Sequence, residues 1–210
     1  AQNYTPPASK RPDAAILKTI AAKTNELGQA LNALQRKRPA DGRLAPAYDA
    51  RLADVEIYHK AVIWIAKHNE FYHADSGAWT LGVLDAGLER AKQLANGETP
   101  WLETTGKTVV RAYRSRVDGS VQPYAVTLPE DYGEDKQKKW RVDVVLHGRD
   151  STLTEVKFLH QHQGKEDAPE RPYVRIDIFG RVNNAYRWAG ETDIFEVLDS
   201  FFATENALQR

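Results

Sequence analysis

The chain of 210 residues contains no cysteine and no methionine. Without cysteine there are no disulfide bonds, no thiolate metal ligands and no cysteine nucleophile. No apolar run reaches the roughly 18 residues that a membrane-spanning helix requires. Basic and acidic side chains balance at 29 each, and the longest basic cluster is only Arg36-Lys37-Arg38. We therefore expect no nucleic-acid partner and no membrane span.

The first residues are Ala1-Gln2-Asn3, and a proline-rich lead continues to Pro12. A chain that starts without methionine and runs into such a lead is typical of an exported protein after removal of its signal peptide, or of a shortened chain. We take the first alternative as the working hypothesis. It predicts a secreted or periplasmic protein whose lead covers residues 1–12.

Apolar residues recur at steps of three and four through the first hundred residues, which is the period of an amphipathic helix. The pattern predicts helices over residues 12–38, 47–72 and 77–95. Asn96-Gly97 and Pro100 end the last of them, because glycine tolerates a left-handed cap and proline cannot continue a helix. Residues 13–100 are therefore predicted to form an antiparallel helical region.

After Trp101 the apolar period changes from 3.6 to 2, which is typical of strands. Strands are predicted over residues 108–113, 124–128, 140–146 and 173–178, with a partly helical segment at 151–163 and a final helix at 192–202. Asp118-Gly119 is a hairpin signal between the first two strands. A hairpin followed by strand, helix, strand and helix predicts an α/β domain over residues 101–210, with the later strands parallel.

Two polar loops follow the third and fourth predicted strands, where open α/β sheets bind ligands. The first is His147-Gly148-Arg149-Asp150. Gly148 allows a backbone to approach a ligand closely, and a loop N–H at this point could stabilise the oxyanion of an acyl-transfer intermediate. The alternative is that the glycine only turns the chain. We treat all four residues as candidate catalytic residues.

The second loop is unusually rich in groups that could line a pocket and contact a substrate. The candidate substrate-binding residues are Arg181, Asn183, Asn184, Tyr186 and Trp188. The alternative is a solvated turn whose asparagines satisfy the local backbone.

Other constellations carry weaker signals. His160 and His162 form the only tight histidine pair, and no metal-ligand spacing accompanies them, so no metal or cofactor is expected. Glu191 and Asp193 could act as acid and base, although Asp193 also suits the positive start of the last helix.

Three blocks, "VVRAYRSRVDGSVQPYAVTLPEDY", "VDVVLHGRD" and "FGRVNNAYRWAGETDIFEVLD", resemble the N-terminal portion of exported bacterial α/β-hydrolases of the esterase or prolyl-oligopeptidase-like kind. The helical stretches "LADVEIYHKAVIWIAKHNEFY" and "GLERAKQLANGETPW" are similar to the helical region of that family. The resemblance spans about residues 50–200. It implies that the backbone around Gly148 and Arg149 supplies one oxyanion donor, while His147 shapes the loop.

The chain departs from that family at its most diagnostic point, because it contains no G-x-S-x-G nucleophile elbow. We expect the serine, the acid and the histidine of the triad to lie beyond Arg210. The chain alone would then be inactive, and its open sheet edge would favour a partner. That partner would be the missing C-terminal half or a second chain, including a homodimer.

The resemblance leaves ester and peptide substrates equally open. An alternative function is a non-catalytic module that binds a carbohydrate or a protein through Trp188, Tyr186 and Arg181.

Overall fold

The computed structural model describes Thr5, residues 7–166 and residues 172–208, and it confirms the predicted α/β class. The predicted processed terminus at Ala1-Gln2-Asn3 lies outside the described residues. The elements of the described part are α1 (Ala14–Arg36), α2 (Ala45–His68), α3 (Ser76–Ala95), β1 (Thr108–Arg114), β2 (Val121–Thr127), β3 (Arg141–Leu146), α4 (Glu155–His162), β4 (Tyr173–Ile178) and α5 (Ala189–Leu208).

The helix ends follow from local capping. Asp13 lies outside α1 and its carboxylate accepts from the N–H of Ile16 at 2.8 Å. Helix α2 ends four residues before the predicted boundary because Asn69 adopts a left-handed φ of 55°, and the next N–H closes the end on Ile65. Thr154 caps α4, which defines the helical part of the ambiguous segment 151–163.

The four strands form one mixed sheet in the order β1-β2-β4-β3. Strands β1 and β2 form the predicted antiparallel hairpin, with Arg114 opposite Val121. Strand β2 is also antiparallel to β4, whereas β3 and β4 are parallel. The prediction of a hairpin followed by parallel strands therefore agrees with the structure in part, since the hairpin and the parallel β3–β4 pair are present and β4 also pairs antiparallel with β2.

The sheet has a separate hydrophobic core on each face. Helices α1, α2, α3 and α4 pack on one face, around buried residues such as Val110, Ala125 and Val156. Helix α5 covers the other face, where Val197 and Phe201 meet the opposite side of the strands. The division into regions 13–100 and 101–210 stays a prediction; the structure shows that the two regions share the first core.

Asp54 of α2 is a buried carboxylate that joins the helices to the sheet. One oxygen accepts from the indole N–H of Trp101 at 2.9 Å and the other from the backbone N–H of Ala112 at 2.6 Å. Burial raises the pKa of Asp54, although the nearby guanidinium groups of Arg111 and Arg90 act to lower it. The side chain thus fixes α2 against β1 through two directional contacts.

The two edges of the sheet differ in exposure. The outer strand β1 is buried over its first six residues, and its edge is covered where Thr108 exchanges backbone hydrogen bonds with Gly164 and Lys165. Strand β3 has no fully buried residue, and Leu146 at its end is 47% exposed. The apolar edge strand β3 is therefore open to solvent. None of the described helices is both long and apolar enough to cross a membrane.

We predict that Asp54→Ala lowers the free energy of unfolding by about 3 kcal/mol or more, because it leaves two buried N–H donors unsatisfied and removes a negative charge close to the buried guanidinium groups of Arg90 and Arg111. Urea unfolding measures the difference. The matched control is Asp49→Ala on the same helix, whose exposed ion pair with Arg38 is worth about 1 kcal/mol or less. Equal losses in the two variants would contradict the role assigned to Asp54.

Candidate functional site

The loops that follow β3 and β4 lie at the same end of the strands, their carboxyl ends, because the two strands are parallel. Residues 147–154 connect β3 to α4, and residues 179–188 connect β4 to α5. Asn183 joins the two loops, since its amide accepts from the N–H of Asp150 at 2.9 Å and donates to the Asp150 carbonyl at 2.7 Å. The structure therefore brings the two predicted groups of site residues together.

Tyr186 makes a second connection between the loops. Its hydroxyl accepts from the N–H of His147 at 2.9 Å and donates to the carbonyl of Ile178 at 2.9 Å. Burial raises the pKa of Tyr186 to about 12, so the hydroxyl stays protonated and can donate at neutral pH. The first candidate loop is thus held from both ends by side chains of the second.

The imidazole of His147 is engaged on both nitrogens. Nδ1 lies 2.8 Å from the carbonyl oxygen of Gly148 and Nε2 lies 2.9 Å from that of Phe179. A neutral imidazole has one N–H donor, and here both ring nitrogens face backbone acceptors. The ring consequently contacts the backbone of both loops through its two nitrogens.

Gly148 and Arg149 form the exposed tip of the first loop. Among the described residues, the N–H of Gly148 has no hydrogen-bond partner. A Cβ on Gly148 would meet no atom within 4 Å, so the approach to this backbone is sterically open. The tip can therefore present an N–H to an external acceptor.

Asp150 anchors the end of the same tip to α4. Its carboxylate accepts from the Lys157 ammonium at 2.6 Å and from the N–H and hydroxyl of Thr152 at 2.9 and 2.8 Å. Burial acts to raise the pKa of Asp150, but these donors outweigh it and hold the pKa below its usual value. The carboxylate is ionised at neutral pH and serves to position the loop.

Arg181 holds the second loop in place. Its guanidinium donates to Asp193 at 2.9 Å, to Asp118 at 2.5 Å and to the hydroxyl of Ser115 at 3.0 Å. Asp193 is only 1% exposed and its carboxylate is engaged in this ion pair. It is the carboxylate that, with Glu191, was a candidate acid–base pair. The hydrogen bonds from Arg181 hold the pKa of Asp118 well below its usual range.

The backbone of the second loop is strained. Non-glycine residues with a positive φ include Val182 at 72° and Trp188 at 53°, and the others in this loop are Arg181, Ala185 and Tyr186. Such angles are unfavourable for L-residues, most of all for a β-branched one, and they cluster at functional sites. Gly180 is required here, because the Tyr186 ring lies 2.3 Å from the position of a Cβ.

A cleft of about 1830 Å³ separates these loops from the helical layer. One wall belongs to α1 and α2. The other wall is formed by the strand-end loops and includes Arg149, Arg181, Asn183, Asn184 and Trp188. Four of the five predicted substrate-binding residues thus line the cleft, and Trp188 is 80% exposed. Their assignment to substrate binding stays a prediction.

Sequence reasoning missed an ion pair at this cleft. Lys60 of α2 pairs with Glu155, the first residue of α4, and both line the cleft. Burial raises the pKa of Glu155, although Lys60 acts to lower it. The second oxygen of Glu155 is buried and has no partner among the described residues. The two residues are 95 positions apart, so no local pattern could have revealed the pair.

The histidines do not form a metal site. His162 contacts the Phe158 carbonyl through Nδ1, and His160 stacks on Trp79 with ring centroids 5.0 Å apart. The described residues contain no cluster of three potential metal ligands.

Comparison with protein families, with curated proteins and with solved structures finds no significant match for this chain.

We predict that Asn183→Ala increases the amide hydrogen-exchange rate of Asp150, because the variant removes both hydrogen bonds between the loops. Exchange at β2 and β4 amides should stay unchanged, since these strands do not depend on the Asn183 side chain. Exchange measured by NMR at matched pH checks this. Unchanged protection of Asp150, or a uniform rise across the sheet, would show that Asn183 does not hold the first loop.

Proposed function

We propose that this chain forms the N-terminal part of a serine hydrolase of the α/β type, which cleaves carboxylic esters or peptide bonds. In this proposal the chain supplies an oxyanion donor and one side of the substrate site, and the nucleophile comes from elsewhere. The single observation that carries it is the exposed tip at Gly148 and Arg149, in the loop between the third strand and the helix after it. The α/β-hydrolases place an oxyanion N–H in the corresponding loop.

The position of the helices supports a continuation of the sheet at β3. Parallel strand–helix–strand connections are right-handed. Helix α4, between β3 and β4, lies on one face of the sheet, and α5 lies on the other. In the proposed hydrolase, a right-handed connection through α5 would return toward β3 and would add a further parallel strand at its open edge. The tip of residues 147–150 would then lie beside the end of the new strand, where a nucleophile elbow would follow.

Exposed apolar groups support the same continuation. Leu146 ends the open edge, and Phe195 and Phe202 of α5 are 61% and 47% exposed. Helix α5 covers the sheet face that also carries Val142 and Val144. A strand with a following helix would bury these groups, whereas their exposure to water is unfavourable.

The chain's own residues fit the role of an oxyanion-bearing part. Both His147 nitrogens face carbonyl oxygens, which supports the proposal that this histidine shapes the loop and that the general base lies elsewhere. No serine lies in a G-x-S-x-G sequence. A secreted or periplasmic location belongs to the same proposal and rests on the sequence alone.

A second candidate is a non-catalytic binding module. The observation that favours it is Trp188, a large aromatic side chain that is 80% exposed on a loop fixed by ion pairs. An exposed, rigidly placed indole suits recognition with or without catalysis.

The catalytic proposal is tested with a serine-directed fluorophosphonate probe on the native protein that contains this sequence and on the 210-residue chain. The native protein should be labelled at a serine outside this sequence, and the chain alone should not be labelled. Stoichiometric labelling of a serine within these 210 residues would contradict the proposal, as would an unlabelled native protein.

The oxyanion role has a matched pair of variants in the native protein. Gly148→Pro removes the N–H and should lower kcat on an activated ester about 10²–10³-fold. Gly148→Ala keeps the N–H, and the open space around Gly148 accommodates its methyl group, so near-normal activity is expected. Equal losses in both variants would show that the residue acts through loop shape alone.

The open edge gives a separate prediction for the isolated chain. We expect light scattering at high concentration to show association, which Leu146→Asp reduces because it places a charge on the exposed strand end. Leu44→Asp is the control, since Leu44 is 59% exposed but lies in the helical region. A monomer at every concentration, or equal effects of the two substitutions, would contradict self-association through the exposed edge of β3.

A further inference from the structure

The two walls of the cleft each present an exposed tryptophan. Trp64 of α2 is 44% exposed and Trp188 of the second loop is 80% exposed, and both line the same cleft. Burial of an indole is strongly favourable, so side chains of this kind left open in a cleft indicate a ligand that covers them. Trp188 also has a φ of 53°, a strained backbone angle of the kind that clusters at functional sites.

Polar groups line the same cleft. The side chains of Asn32 and Arg187 line the cleft and have no partner among the described residues. Lys60 and Glu70 also line it, and burial raises the pKa of Glu70. The cleft thus combines exposed indole surface with hydrogen-bonding and charged groups, and the ammonium groups of Lys60 and Lys67 lie 5.7 and 5.2 Å from the centre of the Trp64 ring.

The combination of indoles and polar groups selects among ligand classes. A lipid acyl chain needs a continuous apolar lining, because charged groups such as Lys60 and Glu70 resist desolvation. A sugar ring, by contrast, has a face of C–H groups that stacks on an indole and a rim of hydroxyls that donate and accept hydrogen bonds. The cleft volume of about 1830 Å³ exceeds the usual range of roughly 300–1,000 Å³ for small-ligand pockets. An oligomer therefore fits the cleft better than a single sugar.

We propose that the cleft binds an oligosaccharide chain, with Trp64 and Trp188 stacking on different sugar rings and with Asn32 and Arg187 bonding to hydroxyl or carboxylate groups. The helical layer is then one half of the binding site. Arg149 also lines the cleft, so the bound chain extends to the residue next to Gly148. The placement of a scissile ester at that point rests on the proposed hydrolase function, whereas the binding itself does not.

The test is isothermal titration calorimetry of the 210-residue chain with two probes, cellohexaose as a neutral oligosaccharide and hexagalacturonate as an acidic one. At least one probe should bind. Trp64→Ala and Trp188→Ala should each weaken that binding about tenfold or more, as is typical for truncation of a tryptophan that anchors a ligand. Phe195→Ala is the control, because Phe195 is 61% exposed but does not line the cleft, and it should leave the affinity unchanged.

Several outcomes would overturn the inference. They are no heat of binding with either probe, an affinity that only one of the two tryptophan variants lowers, and an equal loss in the Phe195→Ala control. Circular dichroism and the thermal midpoint of each variant separate lost contacts from lost folding. Oligosaccharide binding without fluorophosphonate labelling of the native protein would contradict the hydrolase proposal and support this inference. Labelling without oligosaccharide binding would support the hydrolase proposal and contradict this inference.

Discussion

The contact of Asp54 with Trp101 and Ala112 is the constraint on which the other features of the molecule depend. It is buried and directional, and it joins α2 to β1 at 2.9 and 2.6 Å. Sliding α2 by one helical turn would displace the carboxylate by about 5.4 Å and leave both donors unsatisfied. Lys60 and Trp64 are on the same helix, so the register that Asp54 fixes also brings Lys60 to Glu155 and Trp64 to the cleft.

The strand-end loops show how a strained backbone is kept in one conformation. Left-handed angles at Val182 and Trp188 are each unfavourable by about 1–3 kcal/mol. The ion pairs of Arg181 and the loop-joining hydrogen bonds of Asn183 and Tyr186 offset that strain. The loops are therefore ordered before any ligand arrives, which reduces the conformational entropy that binding would have to remove.

The sequence predicted the fold well where a local signal exists. The change of apolar period after Trp101 located all four strands within about three residues at each end, because successive side chains of a strand point to opposite faces of the sheet. The end of α2 was misplaced because the left-handed conformation of Asn69 was not recognised as a helix cap. The sequence does predict that the two loops share one edge, since parallel strands require it.

What the loop side chains contact could not be predicted from the sequence. Arg181, Asn183 and Tyr186 were expected to face a substrate, and their polar groups are engaged in contacts within the fold. Those contacts join residues 12 to 66 positions apart, and their partners are specified only by the folded backbone. Trp188 is different, because its indole is exposed and needs no partner within the fold. Its residue type alone was therefore enough to predict a side chain that the structure leaves open to a ligand.

The pair of Lys60 and Glu155 connects the helical layer to the helix that follows the first loop. A buried ion pair gives little net stability, because desolvation offsets its Coulombic attraction. Separating the partners is strongly unfavourable, however, since each would then remain near the low-dielectric interior without its counter-ion. The pair therefore opposes displacement of α2 from α4 more than it stabilises the fold. Glu155 begins the helix that follows the tip at Gly148. The ion pair therefore restrains both the width of the cleft and the position of the tip.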